Sequence, residues 1–356
     1  AFRFGELGSG TGDGANNNGG NGEREGNGSA FPLPFPPPCP AVGSAQLPLP
    51  SSHFPSQWHL IPSMTRAGIV TVAGKPNAGK STLLNRLVGQ KLAIVSPKPQ
   101  STRDRVVGIR TTGDVQMVLL DTPGLLSPTY ALQRAMRSTA LQALRDADVI
   151  IYVVDGTEHA VVPLHEAAGL SMPPTAPVLV AINKVDLLTP AQRARVLETV
   201  PDAQLISAAQ GDGIPELLDS AARRLPESPF LYPEDEISTQ HLRFFVAELV
   251  RETALEQLSD EIPYSVACEI EEFREERTPV YIRAVLHVER ESQKRILIGS
   301  KGARIRSIGQ AARTKVEALL EQPVYLDLWV KVLANWRKNA NALARFGYRL
   351  QEDSNK

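Results

Sequence analysis

The period of apolar and polar positions changes several times along this chain, and each change predicts an element. Ile69-Val-Thr-Val-Ala73, Val115 to Leu120, Val149 to Val154 and Val178-Leu-Val-Ala-Ile182 are short β-branched runs without alternation, as in strands buried on both faces of a sheet. Helical spacing follows the first run, at Leu83, Leu84, Leu87 and Val88. This predicts an α/β domain over residues 66–227, a mostly parallel sheet with helices on both faces. Three prolines between Leu225 and Asp235 then predict a short stiff linker at 228–236. Beyond it, Phe244, Phe245, Leu249, Val250, Ala254 and Leu258 recur at helical spacing, and Val266 to Phe273 and Val280 to Val288 read as strands. Ile296-Leu-Ile-Gly-Ser-Lys-Gly302 leads into a helix with Ile305, Ile308, Ala312, Val316 and Leu319 on one face, and Val324 to Val332 is a last strand. The second domain is therefore α+β, over residues 237–350, with 351–356 a flexible tail.

Residues 1–63 carry no such period. They hold 11 of the 26 Gly and 10 of the 28 Pro, Gly/Asn-rich to residue 30 and Pro-rich after it, which predicts a disordered segment. It is a tail or upstream sequence translated from an early start, with Met64 as the natural initiator, or alternatively a proline-motif docking tail. Neither a secretory nor a transit signal fits, since Arg3 and Arg24 are outnumbered by Glu6, Asp13, Glu23 and Glu25. Cys39 and Cys268 alone give no disulfide framework or metal cluster, and the longest apolar run is far short of a bilayer span. The expectation is a soluble, cytoplasmic, monomeric protein.

The first strand runs into Gly74-Lys-Pro-Asn-Ala-Gly-Lys-Ser81, and a helix follows. Strand, Gly-x4-Gly-Lys-Ser and helix form the phosphate-binding loop in its required context. Backbone N–H groups from Gly74 to Thr82, with Lys75, Pro76, Asn77, Ala78 and Gly79 shaping the loop, would cradle a β-phosphate. Lys80 would reach the β- and γ-phosphates, and Ser81 would ligate Mg²⁺. The second strand ends in Asp121-Thr-Pro-Gly124, where Asp121 would hold the Mg²⁺ shell, Thr122 and Pro123 shape the turn, and the Gly124 N–H would sense the γ-phosphate. The fourth run ends in Asn183-Lys184-Val185-Asp186. A carboxylate at Asp186 accepts N1–H and the 2-amino group of guanine, a donor pair that adenine lacks, so the ligand is GTP or GDP. Ser207-Ala208 supplies a small loop whose backbone would meet guanine O6. Ser96 to Arg103 is polar and without period, a candidate mobile loop whose Thr102 would reach Mg²⁺ when GTP is bound.

Leu125 follows Gly124, at the place where Ras-like proteins carry the Gln that positions the attacking water. Another device must assist hydrolysis. Asn77, with the Ser96–Arg103 loop, is the candidate holder of a monovalent cation, K⁺, beside the β/γ-bridging oxygen; a merely loop-shaping Asn is the alternative. Lys80, Thr102, Gly124 and Asn77 are thus the catalytic candidates, and Ser81, Thr102 and Asp121 the metal ligands.

In Val72 to Asn85, Lys98-Pro-Gln-Ser-Thr-Arg103 and Asp121 to Leu125 the chain resembles the Era branch of the translation-associated GTPases. That family more often has Thr where this chain has Ser101. The second domain's order of helix, strand, strand, helix, Gly-x-x-Gly loop, helix and strand resembles a KH domain of the prokaryotic type. In such domains the loop, here Gly299-Ser300-Lys301-Gly302, clamps single-stranded RNA, and Arg304 opens the following helix. Charge agrees with this: residues 234–293 carry 15 acids and 6 bases, whereas 294–356 carry 13 bases and 5 acids, a local +8 inside a chain of net −1. Trp336, Phe346 and Tyr348 can stack bases, but docking of the terminal segment onto the domain is the favoured reading. The resemblance implies a GTPase that binds the 3′ end of small-subunit (16S) ribosomal RNA and assists 30S assembly, with peripheral membrane contact left open. The competing readings are a regulatory GTPase whose second domain docks a protein or membrane partner, and a small-molecule kinase, which would have no use for a guanine reader at Asp186.

Overall fold

The computed structural model describes residues 64–158, 160–259 and 262–348, so the expectations for 1–63 and 351–356 lie outside the described residues. The first domain contains β1 (Arg66–Ala73), α1 (Lys80–Val88), β2 (Val106–Thr112), β3 (Val115–Asp121), α2 (Ala131–Arg145), β4 (Val149–Asp155), α3 (Leu164–Ala168), β5 (Val178–Asn183), α4 (Pro190–Thr199), β6 (Gln204–Leu205) and α5 (Ile214–Ala222). The sheet order is β2-β3-β1-β4-β5-β6, parallel except for β2 on β3. Strand β4 explains why these runs lack alternation: Val149, Ile151 and Val153 pack with Leu83, Leu87 and Leu217, while Ile150, Tyr152 and Val154 pack with Leu144, Leu164 and Ile182 on the other face.

Strand β2 has no counterpart in the sequence pattern. It is an edge strand interrupted by Gly108, where a Cβ would lie 2.5 Å from Val88 Cγ2, so the glycine admits α1 against the sheet. The linker is stitched along this edge: Ile109 N donates to Ile237 O at 2.7 Å, and Gln116 Oε1 accepts from Leu231 N and Tyr232 N.

The second domain runs α6 (Leu242–Gln257), α7 (Ile262–Ser265), β7 (Ala267–Arg274), β8 (Val280–Val288), α8 (Glu291–Ile298), α9 (Ala303–Leu320), β9 (Val324–Val332) and α10 (Ala340–Arg345). Its sheet is β7-β8-β9, antiparallel then parallel. Val250, Ala254, Ala284, Leu286, Leu297, Ile308 and Ala312 form its core. Trp336 is fully buried and donates from Nε1 to Ser265 O at 2.8 Å, with Phe346 edge-on at 5.2 Å, so these aromatic rings are packing groups. Among the described residues no helix is long and apolar enough to cross a membrane.

Candidate nucleotide site and candidate RNA-binding loop

The C-terminal ends of β1, β3 and β5 deliver the three motifs to one end of the sheet, where open α/β sheets bind ligands. Gly74 and Gly79 adopt φ +151° and +96°; a Cβ on Gly74 would lie 2.2 Å from Val153 O, and one on Gly79 2.2 Å from Asn183 Nδ2. Only glycine fits at either point. Helix α1 begins at Lys80, so its free N–H groups and dipole face the loop's hollow. A cavity of about 330 Å³ opens there, lined among others by Pro76, Lys80, Ser81, Thr102, Gly124 and Lys184.

Three hydroxyl and carboxylate groups converge at its floor. Ser81 Oγ lies 2.6 Å from Asp121 Oδ2 and 2.8 Å from Thr102 Oγ1, and Thr102 Oγ1 donates to the same carboxylate oxygen at 3.1 Å. Asp121 is fully buried, and its Oδ1 has no hydrogen-bond partner. Burial pushes this carboxyl above the ordinary range, against the opposing pull of Lys80, Ser81, Thr102 and Thr122. A buried anion with an unused oxygen beside two hydroxyls is a donor set for a hard, oxygen-seeking cation, and Mg²⁺ fits it. Lys80 is itself buried, and desolvation lowers its pKa to about 8 although Asp121 works against this. Its Nζ rests on Lys75 O at 2.8 Å, within the cavity's wall.

Several motif residues serve other ends. Leu125 is buried with Ala140, Leu144 and Tyr152, so its side chain packs into the core. Thr122 Oγ1 donates to Val72 O at 2.9 Å, and Lys75 pairs with Glu158 at 2.7 Å on the surface. Lys184 Nζ is held by Asp155 Oδ2 at 2.5 Å. Asn77 is exposed, and its Nδ2 donates to Pro97 O at 3.0 Å, which ties the phosphate loop to the start of the Ser96–Arg103 loop.

Asn183 bridges two loops: Nδ2 donates to Ala78 O at 2.8 Å, and Oδ1 accepts from Ala208 N at 2.9 Å. The Ala208 N–H is thereby committed within the protein. Asp186 is exposed; Ser207 Oγ donates to one of its oxygens at 2.6 Å and aims the carboxylate outward. Asn183→Ala strands two buried backbone groups, at about 1–3 kcal/mol each. We expect it to lower the melting temperature of the nucleotide-free protein and GTP affinity together. A lost affinity with an unchanged melt would place Asn183 against the base instead.

The Ser96–Arg103 loop has no regular structure, yet its second half is not free. Thr102 and Arg103 are buried, and Arg103 bonds to carbonyls of the second domain. The sequence carries no signal for this, since the acceptors are backbone atoms some 160 residues away.

On the second domain, Gly299 takes φ +74°, and a Cβ there would meet Arg304 Cβ at 2.8 Å. Ser300, Lys301 and Arg304 are exposed, while Arg306 Nη2 donates to Lys301 O at 2.6 Å and shapes the turn. Ile296, 44% exposed on α8, adds an apolar surface beside it that the helical pattern alone did not single out.

Two family models match: 50S ribosome-binding GTPase over residues 69–184 and KH domain over residues 261–337. The GTPase Era of Pseudomonas aeruginosa is 46% identical over 301 residues, which is 81% of this chain and 97% of that protein. Its counterpart in Azotobacter vinelandii is 45% identical over 297 residues, 80% of this chain and 97% of that one. Two solved structures, each 39% identical with a TM-score of 0.75, cover 80% of this chain and all of their own: an Aquifex aeolicus Era variant bound to GDP and aluminium fluoride, and Era in complex with MgGDPNP and nucleotides 1506–1542 of 16S ribosomal RNA.

Proposed function

This chain belongs to the Era family of GTPases, and on that premise we propose that it is a GTP-driven switch that binds the 3′ end of small-subunit ribosomal RNA and assists maturation of the 30S subunit. The reading assigns residues 66–227 to GTP hydrolysis, 228–236 to the linker and 237–350 to RNA. The reaction takes GTP and water to GDP and phosphate. The observation that carries the GTPase part of the reading is the meeting of Ser81, Thr102 and Asp121 under the phosphate-binding loop, and the likeness to Era in complex with 16S ribosomal RNA supports the RNA part.

Those three residues would hold Mg²⁺, which neutralises charge on the β- and γ-phosphates. The N–H groups of Gly74 to Thr82 cradle the phosphates, Lys80 places an ammonium against the charge that develops during transfer, and the Gly124 N–H faces the γ-phosphate. Thr102 exists in this geometry only while the Ser96–Arg103 loop lies closed, which makes the loop responsive to the γ-phosphate. RNA enters at Gly299-Ser300-Lys301-Gly302 and Arg304, where two glycines admit a backbone and two exposed cations attract it. The protein acts in the cytoplasm, as a monomer, on the ribosomal subunit.

Because Leu125 is committed to the core and cannot position the attacking water, hydrolysis needs another device, and a cation beside the β/γ-bridging oxygen supplies one. Asn77 donates its amide N–H to Pro97 O, so its Oδ1 and nearby loop carbonyls are left to coordinate K⁺. Phosphate release from GTP, with ATP as control, is expected to run faster in KCl than in NaCl, and Asn77→Ala is expected to abolish the difference while GTP still binds. Equal rates in the two salts would remove the cation from the scheme, and equal turnover of ATP would remove the guanine reading.

A further inference from the structure

Three basic side chains cross between the Ser96–Arg103 loop and the second domain. Lys98 Nζ donates to the carbonyls of Leu255 and Leu258 at the C-terminal end of α6. Arg103 donates to Val266 O at 2.6 Å and Tyr264 O at 3.0 Å, around α7. Arg251 reaches the other way. It lies on α6, is 1% exposed, and donates from Nη2 to Ser101 O at 2.6 Å. Glu248 accepts from both its Nε and its Nη2, at 2.7 and 2.6 Å. Burial works against the Arg251 charge, but the Glu248 carboxylate outweighs it and holds the guanidinium protonated. Thr102 therefore stands between Ser101 and Arg103, each fixed by the other domain.

We infer that Arg251, a residue of the RNA-binding domain, is a positioning residue for GTP hydrolysis: by holding the Ser101 carbonyl it sets Thr102 Oγ1 beside Ser81 and Asp121. The inference rests on the reading of Thr102 as a Mg²⁺ ligand. A loop without regular hydrogen bonds loses conformational entropy when it closes on a ligand. Arg251 removes part of that loss before nucleotide arrives, in the way preorganisation strengthens any site. GDP has no γ-phosphate to draw Thr102 inward, so its affinity depends little on this contact.

The test compares Arg251→Met combined with Glu248→Gln, which removes the buried charges together, with Arg251→Lys and with Thr102→Val. Phosphate release is measured across a Mg²⁺ titration, GDP affinity by fluorescence, and folding by circular dichroism. The double variant should need at least about tenfold more Mg²⁺ for half-maximal hydrolysis and show a kcat lower by about tenfold, with GDP affinity within about twofold of the parent. Arg251→Lys, which keeps the charge beside Glu248 but loses the forked donor, should fall between. A folded double variant with the parent's kcat and Mg²⁺ dependence overturns the proposal, and if that variant does not fold, Arg251→Lys decides by the same readouts. Loss in Thr102→Val without loss at Arg251 overturns the positioning role alone. No loss in Thr102→Val overturns the metal reading and the inference together.

Discussion

Asp186→Asn is expected to weaken GTP binding by about 10²- to 10⁴-fold and to shift preference toward xanthine nucleotides. The wild-type carboxylate is exposed at the cavity end of β5 and held by Ser207 Oγ at 2.6 Å on one oxygen, which leaves the other oxygen and the second lone pair of the first for the base. Guanine presents two adjacent donors to this group, each bond to a charged acceptor contributing about 1.5–3 kcal/mol. An amide supplies one acceptor and one donor, so a donor then faces a donor. Xanthine carries a carbonyl where guanine has its 2-amino group and pairs with that amide correctly. A titration with fluorescent GTP and XTP analogues reads both effects, and unchanged GTP affinity would take Asp186 out of the base site.

Lys80→Met should slow hydrolysis by about 10²–10³-fold, or about 2.7–4 kcal/mol, the cost typical of removing one preorganised donor from a developing charge. Lys80 sits at the first position of α1, buried, with its ammonium resting on Lys75 O. Methionine preserves much of the stem's volume, and the site that receives it is already largely desolvated, so the fold should survive. Single-turnover measurement at saturating GTP separates the chemical step from weakened binding. A rate within a few fold of the parent would mean that another cation performs this role.

The strands that bear the nucleotide motifs were legible because burial on both faces leaves uninterrupted β-branched runs, and the loop glycines because the tight turn, at positive φ and against Val153 O and Asn183 Nδ2, forbids a Cβ. Strand β2 was not, since Gly108, which admits Val88, and the Arg110-Thr-Thr112 ending break the pattern of a strand held by its pairing with β3. The meeting of Ser81, Thr102 and Asp121 was readable residue by residue, because each is an oxygen donor carried by a motif beside the phosphate-binding loop. Asn183 was legible only as part of the guanine-specifying motif, and the sequence carried no sign that its side chain joins Ala78 to Ala208. Least legible was the tie between the domains. Charged residues on a helix usually face solvent, and nothing local marks Arg251 and Glu252 as buried. Glu252 nonetheless accepts from Lys91 and Lys315 at 2.8 and 3.1 Å and from Val95 N at 3.2 Å, a convergence of three distant segments.

If the chain joins a guanine-nucleotide site to an RNA-binding domain, the Gly299–Gly302 loop is where RNA affinity should be lost first. Replacing Ser300 and Lys301 together with Asp puts two negative charges on an exposed turn whose altered side chains take no part in the core. Filter binding of single-stranded oligonucleotides from the 3′ end of small-subunit ribosomal RNA should then weaken by at least about tenfold, or about 1.4 kcal/mol, with basal GTP hydrolysis unchanged. Undiminished RNA binding by a folded double variant would move the RNA site to another surface.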